Sequence, residues 1–185
     1  MNRVAKIKSQ KKKVDAFTES ELEVLFSACD NIRDRALLEF LYSTGCRVSE
    51  CSNVDIGDIN FKEKTVFIKN GKGNKQRISY ISDKCMIWLE KYLNERNSND
   101  IALWTGKKGR LTKAGIEYIV RSIGDKAGIH AHPHKFRHTL ATNMVKRNAP
   151  VHIVQKVLGH ENLNTSMIYI DVNDNDVESA HKKYV

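Results

Sequence analysis

Two prolines and four cysteines are all that the 185 residues contain of either type. The cysteines, Cys29, Cys46, Cys51 and Cys85, show no Cys-x-x-Cys pairing and no zinc-type spacing. That pattern excludes a zinc ribbon or a disulfide scaffold and leaves reduced, mostly buried thiols of a cytoplasmic protein. No apolar run approaches the roughly 18 residues that a membrane span needs. No apolar stretch follows the N-terminal lysines either, which excludes a secretory signal. Acid is missing from residues 1–14, where Arg3, Lys6, Lys8, Lys11, Lys12 and Lys13 stand unopposed. Such a run cannot bury itself and reads as a solvated linker or arm.

What is present suits one folded domain. A hydrophobic fraction of 41% in a chain of this length is enough for a proper core. The formal net charge of +9 favours a polyanionic partner.

Periodicity supplies the architecture. Thr18 and Glu21 make a capping box, after which Leu22, Leu25 and Phe26 repeat at helical spacing. A second helix follows Asn31, with Ala36, Leu37, Phe40 and Leu41 on its apolar face and Gly45 as its stop, and Arg47 opens a short third. The period then changes to that of strands, through Ile59 and Phe61, then Val66 to Ile68, then Ile78 to Ile81. Asn70 to Asn74 is turn chemistry, since glycine and asparagine tolerate positive φ. Helical spacing returns at Met86, Leu89, Tyr92 and Leu93, and again from Thr112 to Gly124 or Gly128. Pro133 and Pro150 each suit the start of a further helix, the second ending at Gly159. A short helix carries Tyr169, and 173–185 forms an amphipathic tail with Val177, Ala180 and Tyr184 on one stripe. The expected fold is mainly α with a small three-stranded antiparallel sheet (α+β), inserted after the second or third helix.

Four segments concentrate chemistry. Arg47 at a turn-to-helix junction can offer a planar fork to a phosphate, with Glu50 one turn on to hold it; a local helix ion pair is the plain alternative. Gly71-Lys72-Gly73-Asn74-Lys75-Gln76-Arg77 is a basic hairpin that lacks the P-loop pattern, and such hairpins usually sit solvated or touch phosphate. His134 and Arg137, at i and i+3, can address one ligand, with Phe136 turned to the core. The rival is a metal site from His130, His132, His134 and His138, but no cysteine or carboxylate flanks them and Pro133 interrupts the run. Last, Leu158-Gly159-His160 precedes Tyr169, which taken alone is a packing aromatic.

In this order the four segments resemble the tyrosine recombinases (phage integrase family). Thr44-Gly45-Cys46-Arg47-Val48-Ser49-Glu50 matches the family's Thr-Gly-x-Arg-x-Ser-Glu motif, the basic hairpin looks like its β-hairpin motif, and His134-Lys135-Phe136-Arg137 matches its His-x-x-Arg motif. The interval of nine positions from His160 to Tyr169 is the family's as well. The resemblance covers about Thr18 to Tyr169.

It implies a catalytic-domain fold over 15–172 and a site-specific DNA recombinase. Tyr169 would attack a phosphodiester to give a 3′-phosphotyrosine, from which strands are exchanged and rejoined without metal, nucleotide or other cofactor. By the same resemblance Arg47, Arg137 and His160 stabilise the phosphoryl oxygens, with Glu50 supporting. His134 is the base and Lys72 the general acid. Lys75 and Arg77 are substitutes for Lys72 or plain phosphate contacts. Further DNA contacts are expected from Lys135, His138, Lys107 and Lys108, within a basic surface that also includes Arg35, Arg110, Lys113 and Arg121. The family's upstream domain is not in this sequence, so the chain is expected to be a catalytic domain of a longer integrase. Its partner is double-stranded DNA, with no membrane involved; the intact protein would be a tetramer on two sites and this piece a monomer. Two alternatives stay open: a catalytically silent DNA-binding regulator of the same fold, and a relaxing topoisomerase.

Overall fold

The computed structural model describes residues 15–69 and 76–159. The expected linker over 1–14, the Asn70 to Asn74 turn, the helix carrying Tyr169 and the tail over 173–185 lie outside the described residues. In chain order the elements are α1 (Glu19–Ser27), α2 (Ile32–Thr44), α3 (Val48–Ser52), β1 (Ile59–Asn60), β2 (Thr65–Ile68), β3 (Arg77–Tyr80), α4 (Asp83–Glu95), β4 (Thr105–Gly106), β5 (Gly109–Arg110), α5 (Lys113–Ala127), α6 (Pro133–Lys146) and α7 (Val151–Leu158).

Side-chain oxygens define most helix starts. Thr18 accepts from the Glu21 N–H while Glu21 reaches back, and Asn31, Ser82 and Thr112 accept from N–H groups in the first turns of α2, α4 and α5. Each satisfies a donor that has no partner inside its own helix. α2 ends on Gly45 and α7 on Gly159, both left-handed.

α2 is the hub. Its Ala36, Leu37, Leu38, Phe40 and Leu41 are fully buried, and α4 and α6 pack against it. Trp104, also fully buried, meets Phe40 edge-on and stacks on Tyr92, each at 5.5 Å between ring centres. A second, smaller cluster of Ala141, Val154 and Leu158 joins α6 to α7.

The three-stranded sheet has order β1-β2-β3, antiparallel throughout, and stands after α3 as expected. Two details differ from the sequence reading. Phe61 is not in a strand: β1 stops at Asn60 and Phe61 opens the turn that leads to β2. The hairpin of β4 and β5 was not foreseen, because strands of two residues carry no alternation to read. The face of β3 is also unusual. Ser79 is buried and donates to the Thr44 carbonyl at 2.8 Å, while Ile78 and Tyr80 are exposed. Val66 and Ile68 supply the apolar inner face from β2 instead.

Gly45 is the point where α2 turns toward the site. Its φ is +57°, and a Cβ there would lie 2.8 Å from Leu140 and 2.8 Å from Leu158. Gly45→Ala is therefore expected to destabilise by roughly 1–3 kcal/mol, the cost of a left-handed non-glycine residue, plus whatever the two leucines lose in moving. Urea unfolding of the two proteins, with an unchanged m-value, measures it; equal midpoints would contradict the assignment.

Candidate nucleic-acid cleavage site

The site begins at the end of α2. After Gly45 the chain is extended at Arg47 and enters α3 there. Glu50, one turn on, accepts the Arg47 backbone N–H at 2.8 Å and its guanidinium at 2.9 Å. The Glu50 side chain is 1% exposed, whereas that of Arg47 is 31% exposed, so the carboxylate lies beneath a guanidinium that still meets solvent. Glu50 holds a second arginine from the sheet: Arg77 gives it two parallel hydrogen bonds at 3.0 and 2.9 Å. Burial works to raise the Glu50 pKa, but the bonds and charges of Arg77 and Arg47 outweigh it and hold the carboxyl below its usual value.

Arg137 comes from the first turns of α6 and is 2% exposed. It donates to the Gly45 carbonyl at 2.6 Å and to the Leu158 carbonyl at 2.7 Å. Those are the C-terminal ends of α2 and α7, where unpaired carbonyls concentrate negative partial charge. Burial, then Arg47 and Arg77 nearby, lower Arg137 to about 10, which leaves it charged at neutral pH. Five N–H groups make up a guanidinium fork, and the two carbonyls do not use all of them.

His134 sits three residues before Arg137. Its ring meets that of His138 at 4.3 Å and nearly at right angles. Partial burial, followed by the charges of His138, Arg137, His132 and Arg47, pushes its pKa down to about 4. It is thus a neutral imidazole at physiological pH, able to accept a proton. His138, half-buried, is lowered in the same direction by burial first. Among the described residues no cluster of His, Cys, Asp and Glu is arranged to hold a metal ion.

Arg47, Glu50, Arg77, His134, Arg137 and His138 are therefore brought together. Lys72, Lys75, His160 and Tyr169 lie outside the described residues. Lys135 is a correction. It was expected on DNA, but its side chain is 10% exposed, its ammonium lies 3.2 Å from Asp15 and 4.5 Å from the Phe17 ring centre, and it is turned into the fold. Arg77 is likewise turned inward, onto Glu50. Of the wider basic surface, Arg35 is held by Glu39 and the Phe26 carbonyl and lies over the Phe26 and Trp88 rings. Arg110 is tied to Asp55 and the Ser52 carbonyl. Lys107, Lys108, Lys113 and Arg121 are exposed.

Sequence reasoning passed over Asp15 and considered His132 only as a member of the rival metal cluster. His132 caps α6: its Nδ1 accepts the Lys135 N–H at 3.2 Å, which leaves Nε2 to donate to Asp15, also at 3.2 Å. Partial burial would raise Asp15, but Lys135 and His132 outweigh it and lower it. Phe17 adds an N–H bond to Thr139 at 2.8 Å and a ring contact with Phe136 at 4.9 Å. The partners are more than a hundred positions apart, so no local signal pointed to them.

The depressed His134 pKa fixes a pH dependence. An unfolded chain titrates this histidine near 6.5, the folded one near 4, so between those values the unfolded state binds more protons. Stability is then expected to fall as pH drops from about 6.5 toward 4. Glu50, also depressed in the fold, adds to that loss below the ordinary carboxylate range. Urea midpoints at pH 7 and pH 5 for the wild type and His134→Gln check it; the variant should lose less, and parallel losses would contradict the assignment.

The arrangement can grip a phosphate with fixed guanidiniums and take a proton beside it. The chain matches the phage integrase family over residues 15–176. It is 36% identical over 172 residues to tyrosine recombinase XerA of Pyrococcus horikoshii, covering 91% of this chain and 60% of that protein. It is 38% identical over 181 residues to tyrosine recombinase XerC of Oceanobacillus iheyensis, covering 89% and 59%. The chain thus spans about three fifths of the length of these relatives. The crystal structure of XerA recombinase superposes with a TM-score of 0.77 at 28% identity, covering 91% of this chain and 62% of that one. XerH site-specific recombinase bound to its difH substrate, before cleavage, gives 0.78 at 27%, covering 91% and 53%. The match takes in every described element from α1 to α7, and the chain belongs to the phage integrase family.

Proposed function

We propose that this chain is the catalytic domain of a site-specific DNA recombinase that cleaves through Tyr169 and works in the cytoplasm. The observation that carries it is the pairing of a part-exposed Arg47, fixed by buried Glu50, with Arg137 anchored behind it. Guanidiniums held in advance stabilise charge on phosphoryl oxygens without reorganising during the reaction.

The chemistry follows from what a phenol lacks. With a pKa of about 10, on the order of one tyrosine in a thousand is ionised at neutral pH. His134, neutral here, takes the proton as the Tyr169 oxygen bonds to phosphorus. The bond from phosphorus to the 5′ oxygen breaks, and that oxygen leaves as a hydroxyl after receiving a proton from Lys72. The phosphotyrosine retains the energy of the broken link, so a second 5′ hydroxyl can displace the tyrosine and return its proton. Arg47, Arg137 and His160 meet the charge on the phosphoryl oxygens, supplying what a divalent ion gives in many nucleases. Lys107 and Lys108, exposed on the β4–β5 turn, suit phosphate contact that positions the duplex without reading it. The assembly that performs exchange is a tetramer on two sites, and this piece alone a monomer.

The test is a nicked duplex carrying a site selected from random DNA for binding to this chain, incubated with chelator and run on a denaturing gel. A covalent adduct is expected from the wild type and none from Tyr169→Phe. Arg47→Gln should slow its formation by about 10²–10³. Tight binding with no adduct, or cleavage only with magnesium, would replace this reading by a regulator or a metal-dependent nuclease.

A further inference from the structure

Arg77 carries the charge expected of a phosphate contact, yet its surroundings give it another task. The strand register decides which way it points. Ser79 faces inward to the Thr44 carbonyl, so Arg77, two residues earlier, lies on the same face. There it meets Glu50 with two parallel bonds, and its side chain is left 13% exposed. The Glu50 carboxylate then accepts four donors, two from Arg77 and two from Arg47. That is about its full capacity.

The other side of Arg77 rests on the turn after α7. A Cβ on Gly159 would lie 2.8 Å from its Cδ, 3.1 Å from its Nε and 3.4 Å from its Cζ. Gly159 is left-handed there, so the backbone approaches as closely as it does only because no side chain stands between. Leu158, one residue earlier, is the residue whose carbonyl Arg137 holds. Arg77 therefore fills the space between the carboxylate that holds Arg47 and the turn that leads into His160.

We infer that Arg77 is a positioning residue, which keeps Arg47 pointed outward by saturating Glu50 and sets the distance between α3 and the Gly159 turn, and that it does not bind DNA. The assignment rests on the recombinase reading. Remove its fork and the buried carboxylate loses two charge-assisted bonds. Arg47 is the group at hand to replace them, and it does so by swinging inward, away from a ligand. A lysine at position 77 restores the charge but cannot present two parallel donors.

Two readouts separate this from a phosphate contact. The first is the slope of log affinity against log salt for a labelled duplex; the second is the rate of adduct formation at saturating DNA. For Arg77→Gln the expectation is an unchanged slope and an adduct rate about 10²-fold lower, the size of effect that misplacement of a reacting group produces. Arg77→Lys should keep the slope and recover only part of the rate. In a Glu50→Gln background, Arg77→Gln should cost little more, since the pair acts as one unit. A phosphate contact gives the opposite result: a slope smaller by about 0.9, with the rate at saturation preserved, which overturns the assignment. If Arg77→Gln fails to fold by circular dichroism, the same two readouts on Arg77→Lys decide. A wild type that binds but forms no adduct overturns the recombinase reading and this assignment with it. An active wild type alongside an equally active Arg77→Gln overturns the assignment alone.

Discussion

Several guanidiniums gathered under one surface repel each other, and the Glu50 carboxylate is what lets them stay. It is almost wholly buried, and an isolated carboxylate there would be costly. Paired with two arginines through four bonds it becomes the fixed counter-charge around which α3, the start of β3 and the start of α6 are arranged. Removing one partner from such a buried pair typically costs about 3–5 kcal/mol, because the other is left uncompensated. The pair is weak as a source of net stability and strong as a source of geometry: Arg47 has few places to be while Glu50 is where it is.

Arg137 is managed differently. Among the described residues no carboxylate bonds to it; two helix ends do. α2 and α7 bring their C-terminal carbonyls to the same guanidinium, so the partial charges of two helices stand in for an acid. The partial charges of two helix ends offset its charge less than a carboxylate would, and burial first, then Arg47 and Arg77 nearby, lower its pKa. Such a cation gains from an approaching phosphate what an ion-paired one would already have. Gly45 makes the arrangement available, since only a residue without a side chain lets Leu140 and Leu158 close over the end of α2.

Most helices were legible because they have apolar stripes and polar caps, and the site's motifs were legible because they are short and contiguous. Thr18 and Glu21, Gly45, Pro133 and Gly159 all stand where the local chemistry said they would. What could not be read was the direction of basic side chains. Lys135, Arg77 and Arg110 look like solvated charge in a sequence, yet each is aimed at an acid supplied by a distant segment, and Arg35 is held by Glu39 of its own helix. For Arg77 the deciding fact is the inward turn of Ser79, a polar residue on the face that alternation reserves for apolar ones; a serine hydroxyl that finds a helix-end carbonyl reverses the usual inference. The β4–β5 hairpin stayed hidden for a plainer reason, being too short to show a period.

α6 is where these restraints converge. Its first two turns carry His134 and Arg137, and three separate parts of the chain hold it. Asp15 and Phe17 secure its N-terminal end through His132, Lys135 and Thr139. Gly45 and Leu158 take Arg137 from the other side. Its outer face shares the small apolar cluster with α7. Because His132 accepts the Lys135 N–H with one ring nitrogen and meets Asp15 with the other, the first described residue is in direct hydrogen-bond contact with the cap of the helix that carries His134. Asp15 and Phe17 thus tie the start of the described chain to the turn that carries His134, through one hydrogen bond to the cap and one to Thr139.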